Sequence, residues 1–460
     1  MRSWRPLFSW ALIGVLLAGA AWGQQKVTLR MTGPDWLPVS LMTEISKDFP
    51  AYARQKLGYE VEIVVDPVPW GSYYERLAAA LAAGTPFYDL FVSDSQWIGD
   101  FAESGHLLQV NEYLEKDPEL RAILDSIHPV LRRAYCTYPG NSENYWGFPQ
   151  EADIQGFLVR QDLFQHPQER ENFKARYGYE LPQTYEDWKQ VEWTQARDFA
   201  EFFTRKAGEQ LAGETLQHDF YGLALAYSKS YDFLSMAWMQ FLYNWGGDIW
   251  NWETHQVDGY INSPEAIASF QFYKDLLQFQ PPGAVNFDLD GVNNAMAQGL
   301  VAMACNWIAI SPSVIEDPSF SRVVGKVMVV FPPGQFGRRI YNLGGQPFVI
   351  NAKTQHVEAA LEYIKWWFQP EQQWRFARGG GLPSTTQILD SEEFKNLKPW
   401  TRAFAELVPY QRDVWKHPAF FELLTVMQEE LHAAITGGKS VEEALNNVAR
   451  RQEEILADWE

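Results

Sequence analysis

The sequence predicts an α/β protein with two lobes, each an open, mostly parallel sheet flanked by helices. Its 460 residues suit two or three domains rather than one. After a short leader, the pattern alternates strand, helix, strand, helix and strand, which is typical of a parallel sheet. No internal repeat or low-complexity linker divides the chain. We therefore expect stiff strands to pass between the lobes more than once and to form a multi-strand hinge.

The first residues predict a secretory signal peptide over 1–23. Arg2 and Arg5 supply a basic start, residues 11–18 are apolar, and Ala21 and Gly23 are small residues at the cleavage positions. Cleavage near Gly23 would place the protein in the periplasm or outside the cell. No later segment is apolar over about 18 residues, so we expect no membrane insertion.

Three strands are predicted in the first part, at 26–31, 59–65 and 89–92. Helices are predicted at 41–55, with a restart at Pro50, and at 72–83 and 97–104. Because the carboxyl ends of parallel strands meet at one edge of a sheet, the loops after these strands are where a ligand binds. Those loops contain Asp35, Trp36, Trp70, Ser93, Asp94, Gln96 and Trp97.

The rest of the chain is predicted to continue the pattern and to form most of a second lobe. Strands are predicted at 157–159, 221–226, 300–305, 326–331 and 346–350, and helices at 185–205, 233–244, 266–279 and 290–299. Ser263 and Pro264 are a start signal for the third of these helices. Residues after His356 are mostly helical. We expect 24–149 with 288–341 to form the first lobe, and 150–287 with 342–460 the second.

The net charge of the chain limits which classes of partner it can bind. The chain has 38 Lys and Arg against 58 Asp and Glu, a net charge of −20. Such an acidic protein repels phosphate backbones and anionic lipid surfaces, so we expect no nucleic-acid partner and no membrane binding. Aromatic residues make up 15% of the chain, and 20 of them are Trp. That richness fits stacking on the apolar faces of polar ligands as well as core packing.

The common catalytic and cofactor motifs are missing from the sequence. Gly437–Ser440 lacks the earlier glycine of a phosphate loop, and there is no G-x-S-x-G or H-E-x-x-H pattern. Two cysteines make no zinc site, and they leave open either one disulfide between Cys136 and Cys305 or two buried thiols. We therefore expect no metal, no cofactor and no enzyme activity. The many carboxylates still leave a secreted glycosidase as an alternative.

Five stretches in a fixed order carry a family resemblance. They are 61–94, with W-G-S-Y-Y-E-R-L and P-F-Y-D-L-F-V-S-D, then 101–108, 147–164, 299–307 and 436–445. The chain resembles the family 1 extracellular solute-binding proteins, the carbohydrate-binding components of ABC importers. The resemblance covers nearly all of the chain after the leader. It implies a type II periplasmic-binding-protein fold that closes about a hinge. It also implies a monomer that delivers a neutral carbohydrate to the transmembrane subunits of an ABC permease.

The resemblance also implies binding residues. Asp153 matches the family's acid after the first crossing and would accept sugar hydroxyls, and Trp307 matches an aromatic platform for a sugar ring. Tyr231 and Asp232 would face them from the opposite lobe, with Gly345 and Gln346 at a later crossing. Asp94 has helix capping as an alternative role. Two departures, Val159-Arg160-Gln161 and a first loop without a basic residue, put the sugar's identity in doubt. A polyol or a glycerophosphodiester remains the alternative ligand on the same fold.

Overall fold

One mixed sheet of nine strands organises the molecule. The computed structural model describes residues 26–84, 87–140 and 142–459, so the predicted signal peptide lies outside the described residues. The strand order is β2-β1-β3-β10-β4-β8-β7, with β9 paired to β4 and β11 to β10, while β5 and β6 form a small separate hairpin. The strands are β1 Lys26–Pro34, β2 Glu60–Val68, β3 Leu90–Val92, β4 Gly147–Arg160, β5 Gln210–Leu211, β6 Glu214–Thr215, β7 Tyr221–Ala224, β8 Val301–Trp307, β9 Val327–Val330, β10 Tyr341–Ile350 and β11 Gln411–Arg412.

Helices cover the sheet. In the first half of the chain they are α1 Leu37–Ile45, α2 Phe49–Leu57, α3 Trp70–Ala82, α4 Ile98–Glu103, α5 Asn111–Lys116, α6 Pro118–Ser126, α7 Pro129–Cys136, α8 Gln161–Phe164, α9 Pro167–Tyr177, α10 Tyr185–Trp188 and α11 Trp193–Phe203. In the second half they are α12 Phe233–Trp245, α13 Pro264–Asp275, α14 Leu289–Ala297, α15 Ser311–Ile315, α16 Val357–Trp367, α17 Pro370–Gly379, α18 Thr386–Leu389, α19 Glu392–Lys395, α20 Thr401–Leu407, α21 Phe420–Ile435 and α22 Val441–Ala457. Short 3₁₀ turns occupy Ser46–Asp48, Ser95–Trp97, Leu276–Phe279, Ala284–Asn286 and Val408–Tyr410.

Several local predictions agree with the helices. Ser263 accepts a hydrogen bond from the Ala266 amide at the start of α13, with Pro264 as its first residue. Ser440 caps α22 in the same way. The predicted helix 185–205 is instead two helices, because the chain turns at residues 189–192 and the Glu192 side chain starts α11 through a capping box.

Two long strands carry the chain between the lobes. β4 is buried along its whole length, and its first half pairs with β10 while its second half pairs with β8 and β9. β10 continues in the other direction, where Phe348 pairs with Val92 and Ile350 with Leu90 of β3. The outer strands pair in parallel, β1 with β2 and β3, and β7 with β8. The antiparallel pairings of the main sheet therefore come from the two crossing strands, which agrees with a multi-strand hinge.

The predicted assignment of 288–341 to the first lobe is wrong. β8 pairs in parallel with β7, joining Leu223 to Met303 and Ala224 to Ala304, so both strands belong to the second lobe. A pattern of alternating elements predicts where each strand lies in the sequence but not its neighbour in the sheet, so the predicted division placed β8 in the first lobe.

The predicted assignment of all residues after 342 to the second lobe is also wrong. β10 returns the chain to the first lobe, and α16 packs there on the early helices, because the Tyr52 hydroxyl donates to Glu362 at 2.7 Å and Tyr363 shares a 2.7 Å hydrogen bond with Ser46. Helix α21 packs in the second lobe, where Gln428 accepts from the Ser235 amide of α12. We therefore assign 26–149 and 347–389 to the first lobe, and 154–343 and 420–459 to the second.

The two cysteines are free and buried, so the disulfide left open by the sequence is absent. Cys136 ends α7 in the first lobe, and Cys305 lies on β8 in the second, where the Gln240 side-chain amide donates to its sulfur at 3.3 Å. Burial raises the pKa of each thiol to about 12. The two cysteines lie in different lobes, whereas the predicted division placed both in the first lobe.

Thiol titration tests this placement. We expect the native protein to react slowly with an aromatic disulfide reagent, since only the thiolate reacts and burial keeps both groups protonated. After denaturation without reductant, two thiols per chain should react. A denatured chain that shows reactive thiols only after reduction would contradict the structure.

Candidate functional site

A cavity of about 690 Å³ lies between the lobes at the carboxyl ends of the strands. This size is ordinary for a small-molecule site. The first lobe contributes the loops after β1, β2 and β3, the second contributes the loop after β7 and the end of β8, and the crossing strands form the floor. The lining residues are Asp35, Trp36, Pro69, Trp70, Gly71, Tyr74, Glu75, Asp94, Gln96, Asp153, Ser230, Tyr231, Asp232, Phe233, Met236, Asp288, Leu289, Asp290, Trp307, Ile310, Leu343, Gly344, Gly345, Gln346 and Phe421.

Asp153 presents a half-satisfied carboxylate at the floor. One oxygen, Oδ1, accepts from the backbone amides of Ile154 at 2.7 Å and Ala309 at 2.9 Å. The other oxygen, Oδ2, is buried and has no hydrogen-bond partner within the described chain. Since two amides fix the side chain, the free oxygen is a preorganised acceptor for a donor in the cavity.

Trp307 and Asp153 both lie against a glycine of β10. The opposite residue on β10 is Gly344, and a Cβ atom there would come within 2.4 Å of the Trp307 ring and 3.3 Å of the Asp153 side chain. The next residue, Gly345, has φ of +91°, and a Cβ there would lie 2.5 Å from the Tyr135 hydroxyl. Glycine at both positions therefore lets the backbone approach the floor of the cavity.

Two hydrogen bonds join the lobes across the cavity. The Tyr231 hydroxyl donates to Asp94 Oδ2 at 3.1 Å, and the Gln96 side-chain amide donates to Asp232 Oδ2 at 3.1 Å. Asp94 also accepts from the Gln96 backbone amide at 3.3 Å, so it has the capping role and faces the cavity as well. These contacts hold the two lobes close together in this structure.

Aromatic rings also meet across the cleft. Trp70 of the first lobe stacks on Tyr231 of the second with ring centroids 6.2 Å apart, and Tyr74 stacks on Phe421 at 3.7 Å. Trp36 packs edge-on against Trp70 at 5.4 Å. The wall of the cavity therefore offers broad apolar ring faces beside its carboxylates.

The buried carboxyls have unusual acidity. Burial is the main cause that raises the pKa of Asp94 to about 8 and of Asp232 to about 7, and the negative charge of Asp232 adds to the effect on Asp94. Burial likewise raises the pKa of Asp153 to about 8 and that of its neighbour Glu151 well above the usual range. Among the lining residues there is no Lys, Arg or His to offset these charges.

Most of the predicted site residues come together here. Eleven of them line the cavity, namely Asp35, Trp36, Trp70, Asp94, Gln96, Asp153, Tyr231, Asp232, Trp307, Gly345 and Gln346. Two do not. Ser93 is fully buried, with its hydroxyl on the Asp94 carbonyl, and Trp97 is 1% exposed among Tyr73, Tyr74 and Phe101. The Ser93 amide still donates to the Pro347 carbonyl of β10 at 2.9 Å, so Ser93 stays within the sheet, and Trp97 turns back into the core of the first lobe.

Sequence reasoning did not place other lining residues. Tyr74 and Glu75 project from the first turns of α3, and Asp288 and Asp290 lie at the start of α14. Helical spacing marks Tyr74 only as a partner of apolar neighbours, so it gave no separate signal. Phe421, which the sequence favours as core, lines the cavity through its contact with Tyr74.

No helix in the described ranges has both the length and the apolarity to cross a bilayer. Within residues 26–84, 87–140 and 142–459, no three His, Cys, Asp or Glu side chains are grouped so that they could hold a metal ion.

The two lobes, the crossing strands and the cleft between them define the class of periplasmic-type binding proteins. The chain belongs to the family described as bacterial extracellular solute-binding protein, whose model matches residues 38–374. It is similar to the maltotriose-binding protein of Pyrococcus abyssi, with 24% identity over 408 residues, which cover 87% of this chain and 76% of that protein. The family places the protein outside the cytoplasm, in agreement with the sequence.

Solved structures confirm the predicted fold. A solute-binding protein of Agrobacterium radiobacter K84, in complex with ribitol, is similar with a TM-score of 0.74 and 23% identity, covering 93% of this chain and 98% of that one. The maltose-bound MalE3 of T. maritima is similar with a TM-score of 0.72 and 22% identity, covering 93% and 100%. The two-lobed type II architecture predicted from the sequence is therefore correct.

The raised pKa values of the buried carboxyls predict how stability depends on pH. A carboxyl whose pKa rises on folding binds more protons in the folded chain than in the unfolded chain, so the free energy of unfolding falls as pH rises between about 4 and 8. We expect Tm to decrease over this window, and Asp94→Asn, which cannot lose a proton, to show a shallower decrease. Calorimetry from pH 5 to pH 8.5 measures it.

The matched control is Asp125→Asn, at an exposed carboxyl that pairs with Arg121 and Arg132 on the surface of the first lobe. Its Tm should follow the pH profile of the wild-type protein. A profile of Asp94→Asn as steep as that of the wild type would show that folding does not raise the pKa of Asp94.

Proposed function

We propose that this protein captures a carbohydrate or polyol in the cavity between its lobes and delivers it to the membrane subunits of an ABC importer. The observation that carries the proposal is the lining itself: a free carboxylate oxygen on Asp153, an indole face on Trp307 and rings from both lobes around one cavity. Carboxylates accept hydroxyl hydrogens and aromatic faces cover the C–H faces of sugars. Maltotriose, ribitol and maltose in the names of the similar proteins support the same ligand class.

The lining disfavours an anionic ligand. Phosphate groups are bound by Arg, Lys or helix N-termini, and the cavity offers seven carboxyl side chains and no basic one. A glycerophosphodiester would lie against these carboxylates with nothing to offset its charge. This supports a sugar or polyol over the phosphodiester alternative.

A non-catalytic role is part of the proposal. The family consists of binding proteins, and the hydrogen bonds from Tyr231 to Asp94 and from Gln96 to Asp232 link opposite lobes, as a closing clamp requires. A glycosidase would return shortened products after incubation with oligosaccharides, whereas a binding protein returns them unchanged. Chromatography of the sugars after prolonged incubation separates the two functions.

The remaining elements of the proposal follow from transport. We propose that the leader is cut near Gly23, that the mature protein is a monomer, and that closure about β4 and β10 presents both lobes to the permease. A ligand held at the floor would be released when the permease opens the lobes. A thermal-shift screen over sugars and polyols identifies the ligand, because a ligand bound only by the folded state raises Tm.

Asp153→Asn tests the acceptor role. The substitution keeps the shape and puts an amide donor where the free oxygen of Asp153 lies. Each charge-assisted hydrogen bond is worth about 1.5–3 kcal/mol, so affinity for the best ligand from the screen should fall about tenfold to a few hundredfold. Isothermal calorimetry measures the dissociation constant. Near-normal affinity would mean that Asp153 braces the hinge and does not contact the ligand.

Trp307→Ala tests the stacking face. Removal of the indole should weaken binding by about tenfold or more, since an aromatic face contributes about 1 kcal/mol beyond the area it covers. Trp459→Ala, at a Trp that is 51% exposed and outside the cavity, serves as the matched control and should bind normally. Equal effects of the two substitutions would remove Trp307 from the proposed site.

A further inference from the structure

The ionisable side chains that line the cavity are predominantly acidic. Seven carboxyl side chains line it, three of them buried and four nearer the rim, and no Lys, Arg or His among the lining residues faces them. The buried ones are Asp94, Asp153 and Asp232, with exposed fractions of 7%, 1% and 6%. Burial of like charges without a counter-ion is costly, so the cavity favours protonated carboxyls or a bound cation.

The cavity also contains more unpaired hydrogen-bond acceptors than unpaired donors. Asp153 Oδ2, Gln96 Oε1 and Gln346 Oε1 all belong to lining residues, are buried, and have no hydrogen-bond donor within the described chain. Asp232 Oδ2 accepts a hydrogen bond from the Gln96 side chain. No other residue of the described chain donates to Asp232 Oδ1. Trp36 Nε1 is the one unpaired donor in the same group of buried lining atoms. The described cavity therefore needs a ligand that donates more hydrogen bonds than it accepts.

A hydroxyl and an ammonium group meet this need differently. A hydroxyl donates one hydrogen and also asks for a donor, and it leaves the carboxylate charge in place. An ammonium group donates three hydrogens, accepts none, and offsets a buried negative charge. The ring faces of Trp70 and Tyr231 beside Asp94 and Asp232 also attract a cation.

We infer that the preferred ligand is an amine-bearing carbohydrate or polyol, whose ammonium group sits against Asp232 and Asp94 while its hydroxyls reach Asp153. This inference rests on the proposed function and specifies its substrate class. Asp232 supplies the free oxygen, and Asp94, joined to the opposite lobe through Tyr231, supplies a second negative charge on the other side of the cleft. The cation is therefore held by carboxylates of both lobes and favours their closure.

Matched pairs of ligands test the inference. Each pair differs by an amine in place of one hydroxyl: glucosamine and glucose, galactosamine and galactose, 1-amino-1-deoxysorbitol and sorbitol, and β-1,4-linked glucosamine and glucose oligomers of two to four units. Calorimetry is done at about pH 7, where aliphatic amines are protonated, and in low salt. An ammonium group lowers the raised pKa values of Asp94 and Asp232, so these carboxyls release protons as it binds. We expect the amine to bind at least about tenfold more tightly than its hydroxyl partner in every pair that binds.

Substitutions locate the amine. Asp232→Asn should lower the affinity for the amine about tenfold or more beyond whatever loss the hydroxyl partner shows, so the ratio of the two affinities falls towards one. Asp94→Asn is the second variant, in case Asp232→Asn fails to fold by circular dichroism, and the same drop in the ratio is expected. Asp258→Asn, an exposed acid outside the cavity, should keep the wild-type ratio.

The outcomes are distinct. If the hydroxyl member binds as tightly as the amine or more tightly, the inference is overturned while the proposed function stands. If neither member of any pair binds, the proposed function falls and the inference with it. If putrescine or spermidine binds more tightly than every amino sugar, the ligand is a polyamine and the carbohydrate class is overturned. Equal loss for both members of a pair in Asp232→Asn and Asp94→Asn would overturn the placement of the ammonium group.

Discussion

The pairing of β4 with β10 is the constraint on which the rest of the molecule depends. Both strands run from one lobe into the other, so each lobe completes its sheet with the same two segments. The middle of this pair, from Asp153 on β4 to Gly344 on β10, is the floor of the cavity. In the closure that we propose, the lobes rotate about these strands, and a ligand at their midpoint would lie at the hinge itself.

The side chains at the floor of the cavity and those at its walls are therefore held in different ways. Asp153 is fixed by the backbone amides of Ile154 and Ala309, both in the second lobe, so its carboxylate does not need the first lobe's loops to be oriented. Asp94 and Asp232 are instead partnered across the gap, by Tyr231 and Gln96 of the opposite lobe. An opening motion breaks the wall contacts and leaves the floor intact. Ligand contacts at the wall are thus the ones that couple binding to closure.

Electrostatics sets the second constraint. A cavity with seven carboxyls and no basic side chain is stable when it is protonated, hydrated or filled with a ligand rich in donors. The same feature explains why phosphate ligands fit poorly and why stability should fall as pH rises. It also gives the cleft a negative field that attracts cations from solution.

Much of this arrangement could be read from the sequence. The strand–helix alternation, the five family stretches and the residues after strands β1 to β3 led to the correct fold and to eleven of the lining residues. The sequence could not give the neighbours of each strand, so β8 was assigned to the wrong lobe. Nor could it distinguish Trp97, which is core, from Trp70, which faces the cavity, because one turn of backbone decides which way each ring points.

The sequence also could not predict the lining residues that lie at the starts of helices. Tyr74, Asp288 and Asp290 approach the cavity only because α3 and α14 begin at its edge, which depends on the three-dimensional course of the chain. The state of the two cysteines stayed open for a similar reason: whether two thiols can form a bridge depends on their distance, and that distance depends on lobe assignment. Long-range pairing is the part of the fold that local patterns do not specify.

A crystal structure of the protein with the tightest-binding sugar or polyol tests the central claim most directly. The account predicts the ligand inside the 690 Å³ cavity, with a donor within hydrogen-bond distance of Asp153 Oδ2 and a ring or carbon face against Trp307. A ligand bound outside the cleft, or one in the cleft that leaves Asp153 Oδ2 without a donor, would contradict it.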